Sequence, residues 1–347
     1  MFPRGSKQIR NGGPKTVLYV QTINPLEHNR MTTRKEPTII HATLLASIAT
    51  VIMSAGCAQP AIDPASPCAA DKTFDPHDKD ARKVMLDDHG RMRDLIAEAT
   101  KLINNKKATP IETLIKQLKR GKCSLKLPAR SKRKLTRPEL YRRNVAGVLI
   151  VSGLYKCGKC TKWHSSAASG FALTASGAIV TNHHVFESKT KKKTIIAMTH
   201  SGKVYPVKEV LAASKASDAA ILQLDVGSDK LTPLPLAADT PVGSDVTVIS
   251  HPRHRFYTLT EGVISRYSKN RTKRGMMDTV AITADFARGS SGGPIFDQFG
   301  NATAMVASTS SVYYTQTKDT QKNLQMVFKQ CVPAASILKL IDNQAGK

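Results

Sequence analysis

From about Val145 onward, the chain consists of short runs of β-forming residues, and this feature restricts its fold more than any other. The runs are separated by clusters of Gly, Ser, Pro, Asn and Lys. Many strands spaced by roughly 8–15 residues, without helices between them, are typical of all-β barrels or sandwiches. A region of about 200 residues suits two small barrels. The predicted strands are 148–151, 170–173, 178–181, 194–197, 219–224, 245–249, 259–264, 278–282 and 302–306.

The segment before this β-rich region has helical patterning. Residues 78–105 carry apolar side chains in a rough 3.6-residue rhythm, which predicts one helix. Residues 109–110 predict a second helix with Thr as N-cap and Pro in the first turn, and residues 136–139 have the spacing of a capping box. Residues 333–342 predict a short amphipathic C-terminal helix. The apolar residues of the first helix are Val84, Met85, Leu86, Met92, Leu95, Ile96, Leu102 and Ile103, and the second helix is expected to carry Ile111, Leu114, Ile115 and Leu118 inward.

One apolar run, residues 38–53, resembles a signal peptide, because small residues that suit cleavage follow it up to Ala58. Residues 1–37 make an unusually long leader, whereas a start at Met31 leaves a short basic one. Residues 54–57 also resemble a lipoprotein-processing site, in which Cys57 would be acylated. We expect an exported protein, periplasmic or extracellular, that meets a membrane only through this signal or a lipid anchor at Cys57.

The chain carries 52 Lys and Arg against 26 Asp and Glu, a formal net charge of +26. A field of this sign favours acidic proteins or anionic envelope polymers as partners, and a plain solvated surface explains it equally well. The basic loops at 189–193 and 266–274 have the same two interpretations. One tryptophan and 5% aromatic residues argue against a protein that stacks on nucleic-acid bases, so no specific nucleic-acid partner is expected.

Three motifs carry the residue types of nucleophilic catalysis. Residues 289–294, Gly-Ser-Ser-Gly-Gly-Pro, place a serine in a glycine-flanked turn that can direct backbone N–H groups into one small space. Residues 181–185, Thr-Asn-His-His-Val, follow a strand and offer a base. Residues 217–222, Ser-Asp-Ala-Ala-Ile-Leu, open another strand with a carboxylate among apolar neighbours. The order His, Asp, Ser along the chain is that of the chymotrypsin-type proteases.

With these motifs in this order, residues 145–342 resemble the trypsin-like serine proteases, and most closely the bacterial HtrA/Deg branch. The resemblance implies a mainly β, chymotrypsin-like fold of two antiparallel six-stranded β-barrels. The N-terminal α-helical segment lies outside it, since nothing before about Tyr141 shares the pattern. The residues that carry the resemblance are 169–171, 181–185, 218–222, 261–265 and 289–294.

The resemblance implies a catalytic triad of His184, Asp218 and Ser291. His184 would accept the proton of Ser291 and pass it to the leaving amine, while Asp218 would hold the other imidazole nitrogen. Backbone N–H groups of Gly289 and Ser291 would bind the oxyanion. No metal or cofactor is expected, because this chemistry needs none.

Two neighbouring residues compete for these roles. The family pattern places the base next to Val and so favours His184 over His183, and only Ser291 is followed directly by Gly-Gly-Pro, which favours it over Ser290. Ser290 also stands where digestive enzymes have an Asp that pairs with a freed N-terminus, so that activation switch is not expected. No PDZ domain is expected after the final helix, nor PDZ-dependent gating.

Cleavage specificity rests on a few positions. Asp285 lies six residues before Ser291, where an enzyme specific for Lys or Arg would place its carboxylate. Phe286 can occupy the pocket wall instead, and Thr309 adds bulk on the other wall. Small or medium apolar side chains are therefore favoured, with Lys or Arg as the alternative. The edge strand expected to pair with substrate is Ala307, Ser308 and Thr309.

Cys157 and Cys160, with His164 four residues further on, supply part of a possible zinc site, but no second Cys pair has the right spacing. In an exported protein, a local disulfide between Cys157 and Cys160 is the favoured interpretation. A metal site and free thiols stay as alternatives.

Together these features predict a leader and signal peptide (1–58), a Pro/Ala-rich spacer (59–76), a helical segment (77–140) and a protease domain (141–347). The predicted function is a serine endopeptidase that hydrolyses exported or envelope proteins through an acyl-enzyme. The alternatives are a catalytically inactive protease-fold binding module with a basic surface, and a membrane-anchored regulator that acts through its helical segment.

Overall fold

The computed structural model describes residues 85–187, 192–272, 275–317 and 319–342. Twelve of its strands close into two six-stranded antiparallel barrels, which confirms the predicted mainly β, chymotrypsin-like fold. Barrel one consists of β2 (Val148–Lys156), β3 (Trp163–Ala172), β4 (Ala178–Thr181), β5 (Lys192–Met198), β6 (Val204–Ser214) and β7 (Ala219–Leu224). Barrel two consists of β8 (Asp245–Ser250), β9 (Thr258–Thr272), β10 (Gly275–Ile282), β11 (Pro294–Phe296), β12 (Ala302–Gln316) and β13 (Gln321–Pro333).

Three of the twelve barrel strands were missed by the sequence patterns, each for a local reason. β6 contains two register shifts in its pairing with β7, so its side chains do not alternate regularly between the faces. β11 is only three residues long. The outer part of β13 is exposed and polar, because β12 and β13 continue as a long hairpin beyond the barrel.

The first described helix, α1 (Asp88–Asn104), begins later than predicted. Asp87 is its N-cap and accepts a 2.8 Å hydrogen bond from the backbone N–H of Gly90. Residues 85–87 are not helical, and the side chain of Met85 is 87% exposed. The prediction of helix over 85–87 is therefore wrong, because the cap at Asp87 starts the helix at Asp88.

The other helices are short. α2 (Ile111–Gln117) starts one residue later than the Thr109 cap implied, since Pro110 is its N-cap and the Thr109 hydroxyl donates to the Lys208 carbonyl instead. Ile115 is exposed rather than inward. The capping box predicted the start of α3 (Arg137–Asn144) correctly.

The predicted C-terminal helix is shorter than residues 333–342, because α4 covers only Ala334–Leu338. After α4, the chain forms a short strand, β14 (Ile341–Asp342), which pairs in parallel with β1 (Cys123–Ser124). This pairing ties the C-terminal end of the described chain to the segment between α2 and α3.

The helical segment packs directly on the barrels. Leu95 and Ala99 of α1 are fully buried in the same apolar cluster as Val148 of β2 and Met305 of β12, and Leu114 of α2 packs in a second cluster with barrel-one residues. None of the described helices is both long and apolar enough to cross a membrane. The predicted signal peptide, spacer and Cys57 lie outside the described residues, as does the start of the predicted helix over 78–84.

Candidate active site

The three predicted catalytic residues come from loops at the junction of the barrels. His184 lies in a 3₁₀ turn (His183–Phe186) directly after β4. Asp218 lies in the turn between β6 and β7, and Ser291 in the loop between β10 and β11. Barrel one therefore supplies the imidazole and the carboxylate, and barrel two supplies the hydroxyl.

His184 and Asp218 are already joined. The Nδ1 atom of His184 lies 2.8 Å from Oδ2 of Asp218, and the backbone N–H of His184 donates to Oδ1 of the same carboxylate at 3.0 Å. Asp218 is buried and has φ of 52°, a backbone conformation that costs energy for a residue other than glycine and that occurs often at functional sites. The amide of Asn182 donates to the Asp218 carbonyl at 3.1 Å and holds this turn. This arrangement fixes the imidazole and leaves its Nε2 for another partner.

His183 points to a different carboxylate. Its Nδ1 lies 3.2 Å from Oε1 of Glu187, and the ammonium of Lys215 lies 3.5 Å from the same oxygen. His183 is also buried. Of the two adjacent histidines, only His184 lines the cleft between the barrels among the described residues.

The serine loop contains a type II turn with glycine at its third position. The backbone N–H of Ser290 donates to the Ala287 carbonyl at 2.9 Å, and Gly289 has φ of 103°. The Arg288 carbonyl accepts from the backbone N–H of Arg253 at 2.7 Å. Because the C=O and N–H of a trans peptide point in opposite directions, the N–H of Gly289 faces away from Arg253. A Cβ at Gly289 would lie 2.4 Å from the carbonyl oxygen of His251, so this position requires glycine.

Ser290 and Ser291 have different surroundings. Ser290 is fully buried and accepts a 3.0 Å hydrogen bond from the Ser250 hydroxyl. Ser291 lines the cleft together with His184, and its hydroxyl donates to the Ala307 carbonyl of β12 at 3.3 Å. The structure therefore brings Ser291 and His184 into one cleft, with the serine proton directed to its own barrel.

The two barrels are joined at the serine loop by Ser169 of β3. Its backbone N–H donates to the Ser291 carbonyl at 2.7 Å, and its hydroxyl donates to the Gly289 carbonyl at 3.0 Å. The Thr181 hydroxyl in turn donates to the Ser169 carbonyl at 2.8 Å. Gly292 lies against this junction, since a Cβ there would be 1.9 Å from the Ser169 carbonyl oxygen. Residues of barrel one thus hold the backbone that carries the barrel-two serine.

The cleft has a volume of about 600 Å³, and its charged lining residues are basic. They are Lys192, Arg253 and Arg288, and no carboxylate is among the described lining residues. Burial lowers the pKa of Lys192 to about 8, and its ammonium donates to the Val185 carbonyl. The cleft is therefore electropositive on the side that these residues occupy.

The predicted specificity residues lie around a lysine that the sequence patterns did not identify. The Asp285 side chain is 84% exposed and forms a 2.9 Å ion pair with Lys329, whose side chain is 15% exposed. The Lys329 ammonium also donates to the Phe286 carbonyl at 3.3 Å and lies 5.4 Å from the centre of the Phe286 ring. Lys329 is the β13 partner of Thr309 in β12. In this wall of the predicted pocket, the negative charge of Asp285 is therefore paired with the positive charge of Lys329.

The edge strand predicted to bind substrate has an open side among the described strands. Pairing of β12 with β11 ends at Met305, whereas its pairing with β13 continues to Gln316. From Ala307 onward, β12 therefore has one edge without a strand partner in the described chain, and Ser308 and Thr309 are exposed there. An extended peptide can add to such an edge.

Cys157 and Cys160 are separate thiols in the structure, with their Sγ atoms 3.5 Å apart, so the predicted disulfide is not formed in it. Hydrogen bonding, first from the backbone N–H of Lys159, lowers the pKa of Cys157 to about 7. Cys123 is partly buried and Cys331 is fully buried.

Several residues at this site have no sequence signature that predicts their role. Asn182 and Ser169 stand inside the recognised motifs, but their hydrogen bonds cross between loops and strands that are distant in sequence. Arg253, Arg288 and Lys329 have no local pattern that distinguishes them from other basic residues. Arg288 belongs to the serine loop itself, whereas only the folding of barrel two places Arg253 and Lys329 beside that loop.

Part of the chain is similar to known proteins. Residues 168–305 match the model of the trypsin-like peptidase domain family. Protease Do-like 1 of the Arabidopsis thaliana chloroplast is 34% identical over 142 residues, which are 39% of this chain and 31% of that protein. A probable periplasmic DegP-like serine endoprotease of Pseudomonas fluorescens is 26% identical over 148 residues, 43% of this chain and 30% of that protein.

Among solved structures, the HtrA-type protease AlgW with a tripeptide has a TM-score of 0.45 and 20% identity, over 58% of this chain and 60% of that chain. The chain spans about a third of the length of the two curated relatives from Arabidopsis thaliana and Pseudomonas fluorescens. Residues 168–305 of this chain are therefore similar to a trypsin-like peptidase domain, and the two curated relatives are described as proteases.

Proposed function

We propose that this chain is a serine endopeptidase that uses His184, Asp218 and Ser291 to hydrolyse peptide bonds through an acyl-enzyme. The observation that carries the proposal is the hydrogen-bonded His184–Asp218 pair, which lies in the same cleft as a serine on a glycine-shaped turn. A serine hydroxyl is a weak nucleophile at neutral pH and needs such a base.

The first chemical step forms the acyl-enzyme. The Ser291 hydroxyl turns from the Ala307 carbonyl toward Nε2 of His184 by rotation about one side-chain bond. Its oxygen attacks the substrate carbonyl carbon while Nε2 takes the proton, and Asp218 stabilises the resulting imidazolium through Nδ1. Backbone N–H groups of Gly289 and Ser291 stabilise the oxyanion by roughly 3–4 kcal/mol for each donor.

The intermediate then collapses and the enzyme is restored. The C–N bond breaks as His184 gives its proton to the leaving amine, which leaves Ser291 esterified. A water molecule then loses a proton to His184 and attacks the ester carbonyl. Breakage of the ester bond returns the proton to the Ser291 oxygen and releases the new carboxyl group.

Polypeptides with small or medium apolar side chains before the cleaved bond are the proposed substrates. Asp285 is unsuited to bind a substrate Lys or Arg, because Lys329 already pairs with it at 2.9 Å. The open edge of β12 at residues 307–309 would align an extended substrate.

Acidic polypeptide segments are the proposed preference beyond the cleaved bond. Lys192, Arg253 and Arg288 line the cleft and would attract carboxylates. Proteins outside the cytoplasm are the proposed substrate pool, since relatives such as the Pseudomonas fluorescens protein are described as periplasmic. Lipid attachment at Cys57 belongs to the same proposal.

Labelling with a fluorophosphonate tests the catalytic assignment. The wild-type chain should be modified at Ser291, and Ser291→Ala should lose both labelling and peptide hydrolysis. Ser290→Ala is the matched control and should still be labelled, because the Ser290 hydroxyl is buried against Ser250. A folded wild-type chain that is neither labelled nor hydrolytic would instead be a protease-fold binding module.

A further inference from the structure

The hairpin tip between β2 and β3 brings together three side chains that catalysis does not use. Cys157 follows the end of β2, Cys160 lies in the tip, and His164 is the second residue of β3. The Sγ atom of Cys160 lies 3.5 Å from Sγ of Cys157 and 3.1 Å from Nε2 of His164. All three potential ligand atoms lie within 4.8 Å of one another.

These separations fit a shared metal ion better than a disulfide. A disulfide requires an Sγ–Sγ distance of about 2.05 Å. Tetrahedral zinc, with bonds of about 2.3 Å to sulfur and about 2.05 Å to nitrogen, places two thiolates about 3.8 Å apart and a thiolate about 3.6 Å from an imidazole nitrogen. The observed distances of 3.5 and 3.1 Å are within about 0.5 Å of these edges.

The hairpin also orients the three ligands. Gly158 has φ of 75°, which turns the chain so that the backbone N–H of Lys159 donates to Cys157 Sγ at 3.4 Å. His164 pairs directly across the ladder with Tyr155, and their rings stack with centroids 5.5 Å apart. Donated hydrogen bonds and a fixed ring plane are the supports that metal ligands commonly have.

We infer that Cys157, Cys160 and His164 form a zinc-binding site at the tip of the β2–β3 hairpin. Two thiolates balance the charge of one Zn²⁺, and the mixed sulfur and imidazole ligand set suits this metal. Three protein ligands leave a fourth coordination position for water or another ligand.

The site is connected to the cleft by the strands that carry it. Tyr155 of β2 and Ser165 and Ser166 of β3 line the cleft. Zinc would therefore fasten the end of one cleft wall without touching the catalytic residues.

Zinc binding to the full chain tests this inference. The chain is purified with a non-thiol reductant, and zinc chloride is titrated in competition with a chromogenic zinc chelator. We expect one Zn²⁺ per chain, and Co²⁺ in its place should give the intense visible absorption of a tetrahedral thiolate site. The readout is independent of proteolysis, so it stands even if the proposed function fails.

Variants at the tip should weaken zinc binding. Cys157→Ser and Cys160→Ser should each weaken it by about 100-fold or more and His164→Ala by at least about tenfold, since even residues that only support a ligand contribute 10- to 100-fold. Cys123→Ser, which changes a thiol of β1 that is not part of the cluster, is the matched control and should bind zinc as the wild type does. All four side chains are at least partly accessible, so each variant is expected to fold. Circular dichroism verifies this.

Three results would overturn the inference. The first is a reduced, folded chain that binds no zinc. The second is an affinity for zinc that does not change when Cys157, Cys160 or His164 is replaced. The third is a Cys157–Cys160 disulfide that forms at the same rate with and without zinc, measured by mass spectrometry after alkylation.

Discussion

The two barrels differ in how they hold their side chains of the candidate active site. In barrel one, the base and the carboxylate are already paired, because β4 and the β6–β7 turn are neighbours in the same barrel and bring His184 and Asp218 to 2.8 Å. In barrel two, the Ser291 hydroxyl donates to Ala307 of its own barrel. The proposed acid–base pair thus lies within one barrel, whereas the proposed nucleophile would meet its base only across the junction.

This difference identifies the junction as the sensitive part of the site. Ser169 supplies two hydrogen bonds to the serine loop, and Gly292 fits only because it lacks a side chain. Changes within barrel one should disturb the chemistry of the base. Changes at the junction should disturb the position of the nucleophile, and changes further out should affect selectivity or stability alone.

The largest effect is expected from breaking the barrel-one pair. Asp218→Asn removes the acceptor that fixes the His184 tautomer, so kcat should fall by roughly 10⁴-fold with little change in KM. Steady-state hydrolysis of a peptide substrate measures this. Asp239→Asn, at an exposed carboxylate paired with Arg130, is the control and should leave kcat unchanged. A loss of less than about tenfold in Asp218→Asn would show that His184 is oriented by something else.

A junction variant should have the next largest effect. In Gly292→Ala the new Cβ would meet the Ser169 carbonyl at 1.9 Å, and φ of 89° is unfavourable for alanine. Because a displacement of about 1 Å can cost about 100-fold, kcat/KM should fall by at least that factor. The free energy of unfolding should fall by about 1–3 kcal/mol. Gly121→Ala has no neighbour within 4 Å of the new Cβ and should match the wild type in both measurements.

In barrel two, Lys329→Ala should change selectivity more than rate. Removal of its ammonium frees the Asp285 carboxylate, so cleavage after Lys or Arg should rise by about tenfold relative to cleavage after small apolar residues. Digestion of a peptide library measures the ratio. In the double variant with Asp285→Asn the gain should vanish. If the gain persists there, Asp285 does not contact the substrate.

The smallest effect concerns the barrel-one wall of the cleft and is one of stability. Burial lowers the pKa of Lys192 to about 8 in the folded chain, against about 10.4 when unfolded. Between these pH values the unfolded chain binds more protons than the folded chain. The free energy of unfolding therefore increases, through Lys192, as the pH rises from about 8 to about 10.4. Below pH 8, Lys192 is charged in the folded chain, and the full cost of burying its ammonium lowers the free energy of unfolding.

Lys192→Met should remove that cost and flatten the pH profile. At pH 7 we expect the free energy of unfolding to rise by only about 1 kcal/mol, since the hydrogen bond to the Val185 carbonyl is lost as well. Denaturant unfolding at pH 7 and pH 10 measures both values. Lys193→Met, at the exposed neighbour, is the control. An unchanged pH profile in Lys192→Met would mean that Lys192 is charged and fully compensated throughout this range.

Much of the fold was determined by the sequence itself. Nine strand runs and the motifs at 181–185, 217–222 and 289–294 were visible because alternation, turn residues and glycine requirements are local properties of the chain. The capping box at Thr136 was visible for the same reason. Local signals failed where a cap shortened α1 at Asp87 and where β6 lost regular alternation through its register shifts.

The tertiary structure alone decided which side chains meet. Lys329 pairs with Asp285 across 44 positions of sequence, and Ser169 reaches Ser291 from the other barrel. Such contacts depend on the register and closure of the barrels, which no short window of sequence specifies. The sequence thus predicted the imidazole, carboxylate and hydroxyl groups of the candidate site. Barrel closure determined the distances between them, their burial and the acceptor to which the Ser291 hydroxyl donates.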